Sequence, residues 1–179
     1  MLTFEPFPKI ARLSRDILIT EKLDGTNAQV IVTEEGEIGA ASRTRLITPQ
    51  QDNAGFARWV QENKEELLKL GPGRHFGEWW GLGIQRGYGL REKRFSLFNV
   101  GRWNAENIPA CCSVVPTLFT GAFDTAFINS TLLMLNLQGS SAAPGFMKPE
   151  GIVIFHTASG HLFKKTIEKD EAPKGTLGG

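Results

Sequence analysis

The chain has 179 residues, of which 41% are hydrophobic and 22% charged, a composition that suits one folded domain and excludes a disordered chain. The formal net charge of +1 excludes a polycation, so any contact with nucleic acid must come from local basic clusters. The two cysteines, Cys111 and Cys112, are adjacent, a spacing that fits neither a zinc site nor a structural disulfide and indicates a reduced, intracellular protein.

The first predicted elements are short strands. An Asp24-Gly25 pair stands between two apolar runs, and this pattern predicts a β-hairpin over residues 17–32. A second turn at residues 34–37 is followed by a predicted strand over residues 38–43.

The rest of the chain mixes helical and strand patterns. Asp52 or Asn53 is the expected cap of the first helix, and a Gly-Pro-Gly stop follows that helix. The pattern predicts an α+β fold with antiparallel sheets flanked by helices. The predicted elements are a helix over residues 52–70, a strand over 74–80, a glycine-rich loop over 81–89, a strand over 94–100, a connection or short strand over 108–116, a helix over 123–138, and a hairpin of strands 151–156 and 161–167.

The terminal segments and the most apolar stretch of the sequence predict the location and the domain organisation of the protein. Residues 1–10 hold no long apolar segment, so we expect no secretory signal. Residues 131–137 are too few to span a membrane. We expect one domain over residues 1–179 without a C-terminal accessory domain, a monomer in the cytoplasm, and a frayed polar tail at 169–179.

Lys22 is the first candidate for chemistry. It ends an apolar run and directly precedes the Asp24-Gly25 pair. A lysine held at the mouth of a strand can lose its proton and act as a nucleophile. The alternative is an ordinary lysine at the rim of a hairpin.

Three further candidates each have a plain alternative. Arg43 and Arg45 end a predicted strand, where they can bind phosphate or simply face solvent. Glu78 lies in an aromatic strand, where a carboxylate needs a partner unless it points outward. Phe98 can stack on a base or pack in the core.

The end of the chain adds an acidic residue and two lysines. Glu150 begins a buried strand and is a natural partner for a cation. Lys164 and Lys165 lie in the next strand and point to opposite faces, so at most one of them faces a site. Arg86, Tyr88 and Arg91 of the glycine-rich loop are candidates for contact with a nucleic-acid strand, or stray surface residues.

These residues, taken in order, resemble the motifs of the covalent nucleotidyltransferases, which include ATP-dependent ligases and mRNA capping enzymes. The segments Glu21–Asn27 and Phe76–Glu78 are most similar to the phage-type RNA ligase 2 family. The resemblance runs from about Phe4 to Thr166. It implies an ATP-grasp-like adenylylation domain, and a virus- or phage-encoded origin is one reading of it.

The resemblance implies a role for each site residue. Lys22 attacks the α-phosphate of ATP and becomes a lysyl-AMP. AMP then passes to an RNA 5′-phosphate, which a 3′-hydroxyl attacks. The other implied roles are adenine contact for Glu21, phosphate contact for Asn27 and Arg43, ribose contact for Glu78, adenine stacking for Phe98, a site for Mg²⁺ or Mn²⁺ at Glu150, and α-phosphate contact for Lys164 or Lys165.

Two positions depart from the family pattern. Asn99 replaces the acidic residue that often follows the stacking aromatic, and Lys164-Lys165 replaces a Lys-x-Lys motif, in which we favour Lys164. The rival functions are a DNA ligase core, a guanylyltransferase of the capping type that uses GTP, and an inactive relative that binds nucleic acid.

Overall fold

Ten β-strands and three α-helices form the part of the chain that the structure, a computed structural model, describes, residues 1–171. The strands are β1 Asp16–Lys22, β2 Thr26–Val32, β3 Ile38–Ser42, β4 Leu46–Ile47, β5 Gly73–Gly81, β6 Lys93–Leu97, β7 Ser113–Val114, β8 Thr117–Ala122, β9 Gly151–His156 and β10 His161–Thr166. The helices are α1 Phe56–Glu62, α2 Lys64–Leu67 and α3 Thr125–Gln138. The predicted frayed tail lies largely outside the described residues.

The strands form two sheets. A four-stranded sheet has the order β10-β9-β1-β8, and a six-stranded sheet has the order β4-β3-β2-β5-β6-β7. All neighbours are antiparallel except β6 and β7, which are parallel. The α+β prediction is therefore confirmed, and so is the last hairpin, β9–β10.

The predicted hairpin over residues 17–32 is wrong. β1 pairs with β8 and β9, whereas β2 pairs with β3 and β5, so the two strands belong to different sheets. The buried Leu23 packs between the sheets with Trp80 and Tyr88. The segment after Lys22 is thus a crossing from one sheet to the other, and Lys22 lies at that junction.

The predicted helix over residues 52–70 is divided. It begins at Phe56, breaks at Asn63, where φ is −110° and ψ is 20°, and ends in a 3₁₀ turn at Leu68–Leu70. Gly55 is the helix cap, with φ at 82°, a conformation that favours glycine. Asp52 still serves the helix start, because its carboxylate accepts hydrogen bonds from the N–H groups of the first turn.

Apolar side chains form three cores. One lies under the six-stranded sheet and the first helices, with Phe56, Trp79 and Phe95 fully or almost fully buried. A second lies between the four-stranded sheet and α3. The third, around Leu23 and Trp80, joins the two sheets beneath the Lys22 junction. Burial of these rings contributes the bulk of the hydrophobic stabilisation.

No helix within residues 1–171 combines the length and apolar character needed to cross a membrane.

Candidate active site

Lys22 and Glu150 form an ion pair at the junction of the sheets. Lys22 ends β1, and Glu150 directly precedes β9, whose first residue, Gly151, is the register partner of Lys22. The Lys22 Nζ lies 2.7 Å from Glu150 Oε2, with side-chain exposures of 17% and 7%. Sheet register therefore brings together two residues that the sequence analysis predicted to share a site.

Gly151 makes this approach possible. A Cβ at this position would overlap the Lys165 carbonyl oxygen and lie 2.7 Å from Thr166 Cα, so β10 can come this close only to a glycine. Glu150 also accepts a backbone hydrogen bond from Ile167. The Glu-Gly sequence thus places the carboxylate at the end of a tightly packed strand pair.

Glu78 lies on β5 opposite Asn27 of β2. Its carboxylate accepts hydrogen bonds from the Gly25 N–H and from Asn27 Nδ2, both at 3.0 Å. Burial raises the pKa of Glu78 to about 7, although the Gly25 bond and the nearby Lys22 charge act in the opposite direction and Glu150 adds to the rise. The carboxyl is thus partnered and close to the ion pair, and it changes protonation near neutral pH.

Asp24 is held by the loop between β5 and β6. Its backbone N–H donates to Tyr88 Oη at 2.8 Å, and its carboxylate accepts from Arg86 Nε at 2.8 Å. Arg86 Nη1 also donates to the carbonyl oxygens of Lys148 at 2.9 Å and Pro149 at 3.3 Å. Arg86 therefore binds segments on both sides of the ion pair.

Glu21 points away from Lys22, as neighbours on a strand do. It is 1% exposed and accepts hydrogen bonds from Ser140 Oγ at 2.6 Å and from the N–H groups of Ser141 at 2.8 Å and Ala142 at 3.0 Å. Burial raises the pKa of Glu21, and these three bonds oppose the rise. The side chain of Glu21 thus fixes the loop after α3, and its backbone N–H donates to the Pro116 carbonyl oxygen at 2.9 Å.

The lysines of β10 separate by face. Lys164 is the register partner of Val153, which in turn pairs with Thr20, two residues before Lys22 on β1. Lys164 thus lies on the Lys22 face of the sheet, because cross-strand partners share a face and alternate residues repeat it. Lys165 lies on the opposite face, 3.8 Å from Asp170.

The remaining predicted residues are exposed at the surface. Phe98 follows β6, is 41% exposed, and donates its N–H to the Phe76 carbonyl. Arg43 and Arg91 are exposed, and Arg45 Nη1 donates to the carbonyl oxygens of Leu46 and Gln51. The expectations of phosphate and strand contact for these arginines stay predictions.

Within residues 1–171, no three His, Cys, Asp or Glu side chains are grouped as ligands for a metal ion. A divalent cation at Glu150 would therefore need further ligands from phosphate oxygens and water, which Mg²⁺ commonly uses together with one or two carboxylates.

The sequence does not predict the contacts of the residues on either side of Lys22. The sequence predicts Asp24 as a turn residue and Arg86 and Tyr88 as candidates for strand contact, whereas in the structure Arg86 and Tyr88 each form a hydrogen bond with Asp24. The loop residues that hold Glu21 were also missed. Local patterns carry no signal for contacts across 62 or 119 positions.

The sequence of the chain matches a known protein family. A family model described as RNA ligase matches residues 15–166, which include Lys22, Glu78, Glu150 and Lys164. No curated protein matches the chain.

The fold matches solved structures of mutant Naegleria gruberi RNA ligases. One, with ATP and Mn, has 22% identity and a TM-score of 0.62, over 84% of this chain and 48% of that one. Another with ATP and Mn has 21% identity and a TM-score of 0.64, and one with AMP and Mn has 20% identity and a TM-score of 0.61; each match covers 86% of this chain and 50% of the other. The chain thus spans about half the length of these proteins.

Proposed function

Because the chain belongs to the RNA ligase family, we propose that it is an ATP-dependent RNA ligase that carries AMP on Lys22. The observation that carries this proposal is the position of Lys22 Nζ, 2.7 Å from Glu150 Oε2 at the junction of two sheets. The pairing of β1 with β8 and β9 gives Lys22 a fixed position, and the Glu150 carboxylate lies where it would take up the proton that the amine gives up on attack.

In the proposed first step, the neutral Lys22 amine attacks the α-phosphorus of ATP. An N–P bond forms, the P–O bond to pyrophosphate breaks, and the nitrogen gives up one proton to the Glu150 carboxylate or to water; the products are lysyl-AMP and pyrophosphate. Lys164 lies on the same sheet face as Lys22 and would contribute positive charge beside the α-phosphate.

The nucleoside would occupy the six-stranded sheet next to Lys22. Glu78 accepts hydrogen bonds at the mouth of this region and would bind ribose hydroxyls, and the exposed ring of Phe98 would stack on adenine. Glu21 would contribute its backbone, and Asn27 and Arg43 would contact phosphate. The Naegleria ligase structures with ATP or AMP support the use of this nucleotide.

Glu150 is the residue proposed to hold a divalent cation, and the presence of Mn in those structures supports metal use. Bound there, Mg²⁺ or Mn²⁺ would neutralise phosphate charge and compete with Lys22 for the carboxylate.

The second and third steps would join RNA ends. An oxygen of the RNA 5′-phosphate attacks the adenylate phosphorus and releases Lys22; a 3′-hydroxyl then attacks the 5′-phosphate and releases AMP. Exposed Arg43, Arg45 and Arg91 are the proposed contacts for the RNA backbone. The RNA ligase family implies an RNA substrate, and contacts to the 2′-hydroxyls would distinguish RNA from DNA.

The test is covalent labelling with α-labelled ATP and Mg²⁺ in the absence of RNA. We expect the wild-type protein to take up label that resists denaturation, and Lys22→Ala to take up none. Arg58→Ala is the control, because Arg58 is exposed on α1 and has no proposed role. A wild-type protein that takes up no label would exclude the proposed enzyme.

Companion reactions assign the nucleotide and the polynucleotide. Labelling by GTP in place of ATP would favour the capping-type alternative. Nicked duplex RNA, single-stranded RNA and nicked DNA are then offered to the labelled protein. Equal sealing of RNA and DNA would remove the RNA assignment, and adenylate formation without any sealing would restrict the chain to the first step.

A further inference from the structure

The loop between β5 and β6 makes three hydrogen bonds through one arginine. Arg86 Nε donates to the Asp24 carboxylate, and Nη1 donates to the carbonyl oxygens of Lys148 and Pro149. The Arg86 and Asp24 side chains are 30% and 17% exposed, so the pair is partly shielded from water. Bonds from a guanidinium to a carboxylate are charge-assisted and directional.

The two segments that Arg86 joins lead directly to the ion pair. Asp24 is two residues after Lys22, and the Pro149 carbonyl belongs to the peptide bond that precedes Glu150. No backbone pairing of β2 with β1 fixes the crossing after Lys22, because these strands lie in different sheets. The hydrogen bonds of Arg86 therefore form a tie, that is, a connection between the Asp24 segment and the Lys148–Pro149 segment that strand pairing does not provide.

Packing and hydrogen bonds hold the loop that carries Arg86 in place. Tyr88 is 2% exposed, its ring packs on Trp80 and Phe146, and its hydroxyl accepts the Asp24 N–H. Gln85 and Tyr88 have φ values of 46° and 53°, which non-glycine residues adopt only when their surroundings enforce them. Arg86 thus stands on a backbone held from both sides.

We propose that Arg86 is a positioning residue that sets the distance between Lys22 Nζ and Glu150 Oε2. This role rests on the proposed function. It differs from the expected contact with RNA, because three of the bonds that the guanidinium can donate are made within the protein. A lysine can replace the charge but not the fork that reaches a carboxylate and two carbonyl oxygens together.

The first test measures the tie itself, without any reaction. Hydrogen exchange of the backbone amides is compared in the wild-type protein, Arg86→Ala and the control Arg58→Ala. We expect Arg86→Ala to speed exchange at residues 23–25 and 150–151 by at least about tenfold while the centres of β2 and β5 keep their protection. Unchanged exchange at residues 23–25 would overturn the proposal.

The second test measures lysyl-AMP formation with α-labelled ATP. We expect Arg86→Ala to lower the maximal rate by at least about tenfold, with KM for ATP changed by less than about twofold, because misplacement of a reacting group costs rate more than binding. Arg86→Lys should recover part of the rate. Added guanidinium ion at a concentration that leaves the wild type folded should restore activity to Arg86→Ala but not to Lys22→Ala.

The outcomes separate the two proposals. If the wild type forms no adenylate, the proposed function fails and hydrogen exchange alone decides the role of Arg86. If the wild type is labelled and Arg86→Ala is labelled at the wild-type rate, the positioning role is excluded. If Arg86→Ala keeps its rate of adenylate formation but loses RNA binding, Arg86 is a strand contact, and the positioning role is excluded too.

Discussion

Lys22 Nζ donates a 2.7 Å hydrogen bond to Glu150 Oε2 across 128 positions of sequence. The pairing of β1 with β9 accounts for the contact, since Lys22 opposes Gly151 in the register. The pairing of β9 with β10 puts Lys164 on the face of Lys22 and Lys165 on the other. Two neighbouring strand pairings therefore arrange the nucleophile candidate, its anionic partner and a further cation.

Glu150→Gln should leave the fold intact and reduce lysyl-AMP formation. The amide keeps the shape of the side chain but can neither take up the proton that Lys22 gives up nor bind a divalent cation as a carboxylate does. We expect the rate of labelling to fall by about 100-fold or more. The measurement is the initial rate with α-labelled ATP, and Glu35→Gln, in an exposed turn, is the isosteric control. A rate within about twofold of the wild type would exclude a role for the carboxylate.

Short motifs in the sequence were enough to single out Lys22 and Glu150, which the fold brings into contact, but they did not predict which strands pair. Glu78 stands out because it lies inside a buried strand, and Lys22 and Glu150 because they stand at the ends of apolar strands. The Asp24-Gly25 pair signals a reversal of the chain but not which strand receives it, so the predicted hairpin was wrong. β8 was missed because it follows Pro116 directly and contains Gly121, and its pairing with β1 is not visible in the sequence.

Glu78→Gln should remove a pH dependence of stability. The pKa of Glu78 is about 7 in the folded protein, against an ordinary value of 4.5 that applies to the unfolded chain. As pH rises, Glu78 therefore ionises in the unfolded chain before it ionises in the folded protein. The free energy of unfolding should therefore fall between about pH 4.5 and pH 7, by at most roughly 3 kcal/mol from this group. Urea unfolding of both proteins at about pH 5 and about pH 8 measures the effect.

As pH rises from about 4.5 to about 7, the free energy of unfolding of Glu78→Gln should increase relative to that of the wild type. Glu35→Gln is again the control, because it removes a carboxylate from an exposed turn. A constant difference between wild type and Glu78→Gln at both pH values would contradict the protonation of Glu78 near neutral pH.

Lys164→Ala and Lys165→Ala form a matched pair of variants. Lys164 shares the sheet face of Lys22, whereas Lys165 lies on the other face near Asp170. We expect Lys164→Ala to slow lysyl-AMP formation by at least about tenfold and Lys165→Ala by less than about threefold. Single-turnover labelling at saturating ATP gives both rates. A larger loss in Lys165→Ala would show that the other lysine serves the phosphate.

Glu21→Ala should destabilise the protein even though Glu21 is next to the nucleophile candidate. Its buried carboxylate accepts bonds from Ser140, Ser141 and Ala142, and the donors of that loop would lose their partners. We expect a loss of about 3 kcal/mol in the free energy of unfolding, and a smaller loss for Glu21→Gln, which keeps one acceptor. Urea unfolding measures both, and equal losses would contradict this account.

Gly25→Ala tests the crossing between the sheets. A Cβ at this position would overlap the Trp79 carbonyl oxygen and lie 2.7 Å from Trp80 Cβ, so the backbone must shift. We expect a loss of about 2 kcal/mol of stability and slower labelling of Lys22. Gly39→Ala is the control, since no atom lies within 4 Å of its added Cβ. If both variants unfold at the same urea concentration, the close approach at Gly25 does not constrain the fold.

The separation of Lys22 from Glu150 also bears on when the protein becomes competent during synthesis. Lys22 leaves the ribosome early, but its counter-charge follows 128 residues later, and β9 must insert beside β1 before the two can meet. A nascent or cleaved fragment that ends before residue 150 holds the amine without the carboxylate. Under the proposed function, such a fragment would not accept AMP on Lys22. Adenylate formation would therefore indicate a chain that is intact as far as β9.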